Sequence, residues 1–138
     1  MANALYSPAR TAFARGEIAW QSDTIRCYAA DSTLAWDPSH EFMVDTAISS
    51  AGLDFSTLTG CTTLADGVCD ADDTSFTAVS SGLTVARLLI VQWVTSSADS
   101  RVIAWLDTGW DGMPMSRTSD GSPISVGWSD SPQRVFRL

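Results

Sequence analysis

Residues 83–107 decide the fold: they read LTVARLLIVQWV (83–94), then TSSADS (95–100), then RVIAWLD (101–107). Two apolar runs, rich in β-branched, aliphatic and aromatic residues, flank one polar connector, which is typical of two strands joined by a loop. Both faces of the first run are mostly apolar on an extended chain, so we expect it to be covered on both sides. The sequence therefore predicts an antiparallel hairpin at the centre of a layered β domain.

One charged residue interrupts the apolar faces of this hairpin. Arg87 lies on the face that also carries Val85, Leu89, Val91 and Trp93. A buried guanidinium without a partner is costly, so we predict a carboxylate or carbonyl within bonding distance of Arg87.

Upstream of the hairpin, Ser7-Pro8 predicts the N-cap and the first position of a helix over about residues 4–15, which Gly16 ends. Residues 39–45 predict a helical turn capped by Ser39, and residues 47–54 predict a loop of small residues. Alternating runs predict further short strands. These runs lie at 24–30, 55–63, 67–71, 74–79, 124–128 and 134–138. In the first run Ile25, Cys27 and Ala29 are expected to face the core, and Arg26 and Tyr28 the other way.

The expected fold class is mainly β: an antiparallel β-sandwich or flattened barrel of about 7–8 strands with one short N-terminal helix. We expect a single domain over residues 1–138, with an N-terminal segment and helix at about 1–16 and a β body at about 23–138.

Composition and charge narrow the classes of partner. The net charge is −8, and all eight basic residues are arginine, so no basic patch for nucleic acid is visible. No apolar run approaches the roughly 20 residues that span a bilayer. The N-terminus lacks the apolar segment of a signal peptide, so we expect synthesis in a cytoplasm and no membrane partner.

Few residues could carry catalysis. His40 is the single histidine, and Asp37 and Glu41 lie close to it in the sequence. No nucleophile motif accompanies them, so local bonding of His40 is favoured over a catalytic site, and we expect neither an enzyme nor a cofactor.

The remaining ligand-type residues also favour structural roles. Asp70, Asp72 and Asp73 weakly resemble a calcium loop, but the central glycine and distal glutamate are missing, so local bonds to backbone amides are favoured over a metal site. Cys61 and Cys69 could face each other across a turn, although small buried thiols are favoured over a disulfide.

Six tryptophans are many for this length. Trp93 and Trp105 lie in the hairpin and are predicted to be core residues. Trp110 lies in a loop with Met113 and Met115, a combination found both at protein contacts and, for tryptophan, on sugar-binding surfaces. Burial of Trp110 in the domain's own core is an equal alternative.

Short segments along nearly the whole chain resemble a group of small tailed-bacteriophage virion proteins. They are MANALY (1–6), GEI (16–18), DTI (23–25), HEF (40–42), GVCDADD (67–73), FTAV (76–79), RVIA (101–104), ISVGW (124–128) and VFRL (135–138). The shared pattern consists of fold-bearing residues and contains no catalytic signature.

The resemblance implies a capsid decoration (cement) protein that binds outside the lattice of the major capsid protein, as a homotrimer at three-fold positions. It places the protein on the capsid exterior of a virion, after synthesis in the host bacterial cytoplasm. The N-terminal segment and the loop at 108–123 would then be the contact elements. The candidate contact residues are Leu5, Tyr6, Trp110, Met113 and Met115.

Two other functions compete with decoration. The same β domain would serve as a tail, adaptor or fibre component of the virion. Alternatively, Trp110 and Trp36 could be the stacking platforms of a carbohydrate-binding module on the virion surface.

Overall fold

The computed structural model describes residues 3–109, 112–128 and 135–138. The fold class is confirmed: the protein is mainly β, with antiparallel strand pairs and one short N-terminal helix. The α-helices within the described residues are α1 (Ser7–Ala14) and α2 (Ile48–Ala51). The strands of the described residues are β1 (Ala4–Leu5), β2 (Ile25–Ala30), β3 (Gly52–Thr57), β4 (Thr62–Thr63), β5 (Val68–Asp70), β6 (Thr74–Phe76), β7 (Thr84–Val85), β8 (Arg87–Gln92), β9 (Arg101–Leu106), β10 (Arg117–Thr118), β11 (Ile124–Val126) and β12 (Phe136–Arg137).

A five-stranded sheet of order β1-β9-β8-β2-β3 forms the body, and the predicted hairpin lies inside it as β8 and β9. The remaining strands form three smaller sheets, β10-β7, β11-β6 and β12-β5-β4. Their apolar side chains, such as Val85, Phe76 and Phe136, join the same buried cluster as the central strands. The strand number exceeds the expected seven or eight because several strands are only two residues long.

The central strands are covered on both faces, as predicted. Every residue from Leu88 to Gln92 is buried, although alternate residues point to opposite faces. Arg87 also meets its prediction, since its Nη1 donates a hydrogen bond to the carbonyl of Ala86 at 3.0 Å. Its guanidinium lies 5.4 Å from the centroid of the Trp105 ring.

Helix α1 is shorter than predicted at its start. It begins at Ser7 rather than residue 4, and Tyr6 occupies the N-cap position without a side-chain cap. The reason is that Ala4 and Leu5 pair with β9 as a strand, which excludes them from the helix. Gly16 ends the helix as predicted: its φ is +73°, and its N–H donates to the carbonyl of Phe13 at 3.1 Å.

Two other local predictions are wrong. Ser39 caps no helix, because the helical turn starts later, at Met43–Asp45, and the Asp45 carboxylate accepts the N–H of Phe42 at 2.9 Å. Residues 47–54 are not a loop, since they contain α2 and the start of β3. Burial of Ile48 and Ala51 stabilises this turn of helix in place of the loop that small residues suggested.

Within the described residues, no helix has the length and apolar character needed to cross a membrane.

Candidate interaction surface

Leu5 and Tyr6, which were predicted to contact a partner, are both buried in the protein's own core. Leu5 is 7% exposed and Tyr6 is fully buried, with its ring centroid 4.6 Å from that of Trp36. The chain just before them is also fixed: the Asn3 side-chain oxygen accepts the backbone N–H of Asp107 at 2.8 Å. Residues 3–6 are therefore bonded into the β body.

The loop after Asp107 keeps one exposed candidate. Met113 is 62% exposed, whereas Met115 is partly buried against the core and its N–H donates to the carbonyl of Asp107 at 2.8 Å. The prediction for Trp110 lies outside the described residues. Met113 alone remains a candidate contact residue among the described positions of this loop.

A second surface, which the sequence did not single out, lies on the five-stranded sheet. The guanidinium carbon of Arg26 lies 4.0 Å from the centroid of the Trp93 ring and 4.3 Å from that of the Phe55 ring. The Phe55 ring in turn lies 5.3 Å from the Tyr28 ring. We call these four side chains, Trp93, Arg26, Phe55 and Tyr28, the arginine–aromatic stack.

Strand register explains why these four side chains meet. Tyr28 on β2 lies opposite Phe55 on β3, and Arg26 lies opposite Val91 on β8, two residues before Trp93. Directly paired residues, and residues two apart on a strand, share a face of the sheet. The stack therefore runs across three neighbouring strands on one face.

The stack occupies the uncovered part of that face. Trp105, which shares the face, is 2% exposed and packs against Trp36, whose segment covers this end of the sheet. At the other end, Phe55 is 45% exposed, and the other three members of the stack are half-buried. The prediction that Trp93 is a core residue is thus only partly right.

Sequence reasoning missed this surface for a specific reason. The alternation in β2 correctly placed Arg26 and Tyr28 on one face of the strand and Ile25 and Cys27 on the other face. The spacing of β8 placed Trp93 on the same face as Arg87. What was missing is the register between strands, which brings these two sets together. The signal in the sequence that could have indicated this surface is an arginine and a tyrosine at alternate positions of one strand, Arg26 and Tyr28.

Aromatic rings, and not a carboxylate, are the main contacts of the Arg26 guanidinium. Its Nη1 donates to the Tyr28 hydroxyl at 3.3 Å, but no carboxylate of the described residues lies within 4.0 Å of it. By contrast, Arg101 pairs with Glu17 at 2.8 Å. Arg26 is therefore held by aromatic rings, and it has no acid partner among the described residues although the net charge of the chain is −8.

The residues weighed for catalysis make local contacts. His40 Nε2 lies 3.8 Å from a carboxylate oxygen of Asp37, and its ring stacks on Tyr6 at 6.4 Å. The Ser39 hydroxyl and N–H donate to Asp37 and hold the pKa of that carboxyl below its usual value. Burial raises the pKa of the Tyr6 phenol, and the charge of Asp37 raises it further.

The three aspartates of the calcium-like segment also bond to nearby protein groups. Asp70 accepts the N–H of Ala71 at 2.9 Å, and Asp73 accepts the N–H of Trp128 at 3.0 Å. Asp72 accepts the Thr59 hydroxyl at 3.4 Å. Among residues 3–109, 112–128 and 135–138, no group of three His, Cys, Asp or Glu side chains is arranged to hold a metal ion.

The three cysteines are free thiols in this structure. Cys27 is fully buried in the sheet, and burial raises the pKa of its thiol. Burial and the neighbouring Cys61 raise the pKa of Cys69 to about 11. Such thiols are poor nucleophiles, because the thiolate is the reactive form.

No model of a known protein family matches this sequence, and no curated protein matches it either.

Proposed function

We propose that the protein is a non-enzymatic structural protein of a bacteriophage virion, which binds the outer surface of the major capsid lattice and stabilises the head. The observation that carries this proposal is the arginine–aromatic stack, a partly exposed cluster on the five-stranded sheet. Arginine, tryptophan and tyrosine are the residue types that contribute most to binding energy at protein interfaces. The resemblance of the chain to small virion proteins is the reason for proposing the major capsid protein as the partner.

The architecture suits such a role. A decoration protein stabilises a capsid by burying additional surface across neighbouring subunits, and it must not deform under load. A five-stranded sheet whose central strands are buried on both faces provides a rigid support for the stack. Binding at a three-fold position would match a homotrimer, in which each copy presents one stack.

The experiment that tests the proposal uses undecorated heads from the phage that encodes the protein. Purified protein is mixed with these heads, and bound protein is measured by co-sedimentation at increasing concentration. We expect saturable binding and a higher temperature of genome release from the decorated heads. Absence of binding, or binding without any gain in heat resistance, contradicts the proposal.

The position of the protein in the particle is tested separately. Antibody-labelled virions viewed by electron microscopy should carry the label over the head. A label confined to the tail would overturn decoration and favour the tail, adaptor or fibre role.

A further inference from the structure

We infer that the arginine–aromatic stack is a docking site for a protein surface that presents a carboxylate between apolar side chains. The carboxylate would bind the free edge of the Arg26 guanidinium, and the apolar neighbours would cover Phe55 and Trp93. This inference rests on the proposed function for where the partner is found. The chemistry of the site comes from the side chains themselves.

The guanidinium of Arg26 has donors left for a partner. It has five N–H donors in one plane, and the described residues accept a single hydrogen bond from it, through the Tyr28 hydroxyl at 3.3 Å. Its Nε also lacks a hydrogen-bond partner in the described part of the chain, but it is buried, so the donors that a partner can reach are those of the two Nη groups. The two aromatic rings contact the guanidinium carbon at 4.0 and 4.3 Å, and stacking on rings leaves the in-plane donors free.

The ring contacts also lower the cost of binding. Arginine normally loses considerable rotamer freedom when it forms an interface contact. Here Phe55 and Trp93 already hold the side chain from two sides, so less freedom remains to be lost. A planar guanidinium in a fixed position favours bidentate pairing with a carboxylate.

The charges of the protein favour a partner with a single carboxylate over a polyanion. The chain carries a net charge of −8, so a polyanion such as nucleic acid would be repelled by the surface around a single arginine. A single carboxylate can bind the guanidinium with far less repulsion. The 45% exposure of Phe55 adds apolar surface next to the charge, which favours a protein partner over a small inorganic anion.

The direct test uses two peptides as probes, acetyl-Leu-Asp-Leu-amide and its matched control acetyl-Leu-Asn-Leu-amide. Binding to the whole protein is followed by NMR, through the Arg26 Nε–Hε and Trp93 indole resonances. We expect saturable shifts and about three- to five-fold tighter binding of the aspartate peptide, as for an exposed ion pair. Equal affinity for the two peptides, or shifts elsewhere only, would overturn the inference.

Three variants separate the site from general charge effects. Arg26→Lys keeps the charge but removes the planar fork, and should abolish most of the discrimination between the peptides. Phe55→Leu, at a position 45% exposed, removes one of the two rings that hold Arg26 and part of the apolar surface, and should weaken the binding of both peptides. Arg15→Gln removes an exposed charge at the end of α1 and should change nothing. Loss of discrimination in Arg15→Gln would refute the assignment to Arg26.

A second copy of the chain is the competing occupant. If the Arg26 and Trp93 resonances shift with protein concentration in the absence of peptide, and sedimentation shows association at the same concentrations, the stack is covered by another copy. That result would overturn the inference of a different partner.

The capsid assay distinguishes failure of this inference from failure of the proposed function. If wild-type protein and Arg26→Lys bind undecorated heads equally, the docking site is wrong and decoration stands. If neither protein binds heads, but the wild-type protein still binds the aspartate peptide more tightly than the asparagine peptide, the docking site stands and decoration is wrong.

Discussion

Replacing Ile90 by alanine tests the role of the central hairpin most directly. Ile90 is fully buried on β8, directly opposite Cys27 on β2 and Ala104 on β9. The substitution removes three carbons from a fully buried position, which costs about 2.4 kcal/mol at roughly 0.8 kcal/mol per carbon. Both neighbours are small and their backbones are fixed by the strand ladders, so the cavity cannot easily collapse. We therefore expect a total loss of about 3–4 kcal/mol in the free energy of unfolding.

The assay is urea unfolding followed by tryptophan fluorescence and by circular dichroism, with coincident transitions taken as evidence of two-state behaviour. The matched control is Val94→Ala, at a position 51% exposed just beyond the same strand, where a change of less than about 0.5 kcal/mol is expected. A loss below about 1 kcal/mol for Ile90→Ala, or equal losses for both variants, would refute the assignment of the hairpin as the core.

Three further predictions concern polar and thiol groups. Asp23→Ala should lower the free energy of unfolding by about 1–3 kcal/mol, measured by urea unfolding, because the carboxylate accepts a hydrogen bond from Gln92 at 2.7 Å that would be lost. Hydrogen bonds from the Thr95 hydroxyl and then from the Ser96 backbone N–H lower the pKa of Asp99 to about 2, which an NMR titration should show. The stability that the ionised Asp99 carboxylate contributes is therefore present above pH ~4 and is lost as the pH falls from there towards 2. Alkylation of the native protein, followed by mass spectrometry, should modify the partly buried Cys61 first and Cys27 last.

Each of these has its own control. Asp23→Asn keeps an oxygen that can accept the hydrogen bond from Gln92 and should retain most of the stability. Thr95→Ala should raise the measured pKa of Asp99, and an unchanged pKa would contradict the hydrogen bond as its cause. Equal labelling rates for Cys61 and Cys27 would contradict the buried position of Cys27.

The parts of the fold that depend on neighbouring residues were predictable from the sequence. The two-residue alternation in β2 correctly separated buried Ile25 and Cys27 from half-exposed Arg26 and Tyr28. The two apolar runs of the hairpin were recognisable because burial on both faces removes the polar alternation.

The parts that depend on distant partners were not predictable. Leu5 appeared to belong to the helix and to a contact surface, yet it pairs with Ala104, 99 residues further along the chain. The arginine–aromatic stack likewise depends on the register of three strands, because Phe55 and Trp93 come from opposite sides of β2. Local patterns give the face of each residue but not its neighbour on the next strand.

The strand order of the large sheet has a consequence for how the protein is made. β2 and β3 can pair early in synthesis, but β1 finds its partner only when β9, at residues 101–106, has emerged from the ribosome. Pairings between distant segments carry a larger loop-closure cost and slow folding. Until β8 arrives, the edge of β2 and its apolar side chains Ile25 and Cys27 remain unprotected in the nascent chain. The protein is therefore most vulnerable to aggregation while it is still incomplete, a risk that grows with rapid expression.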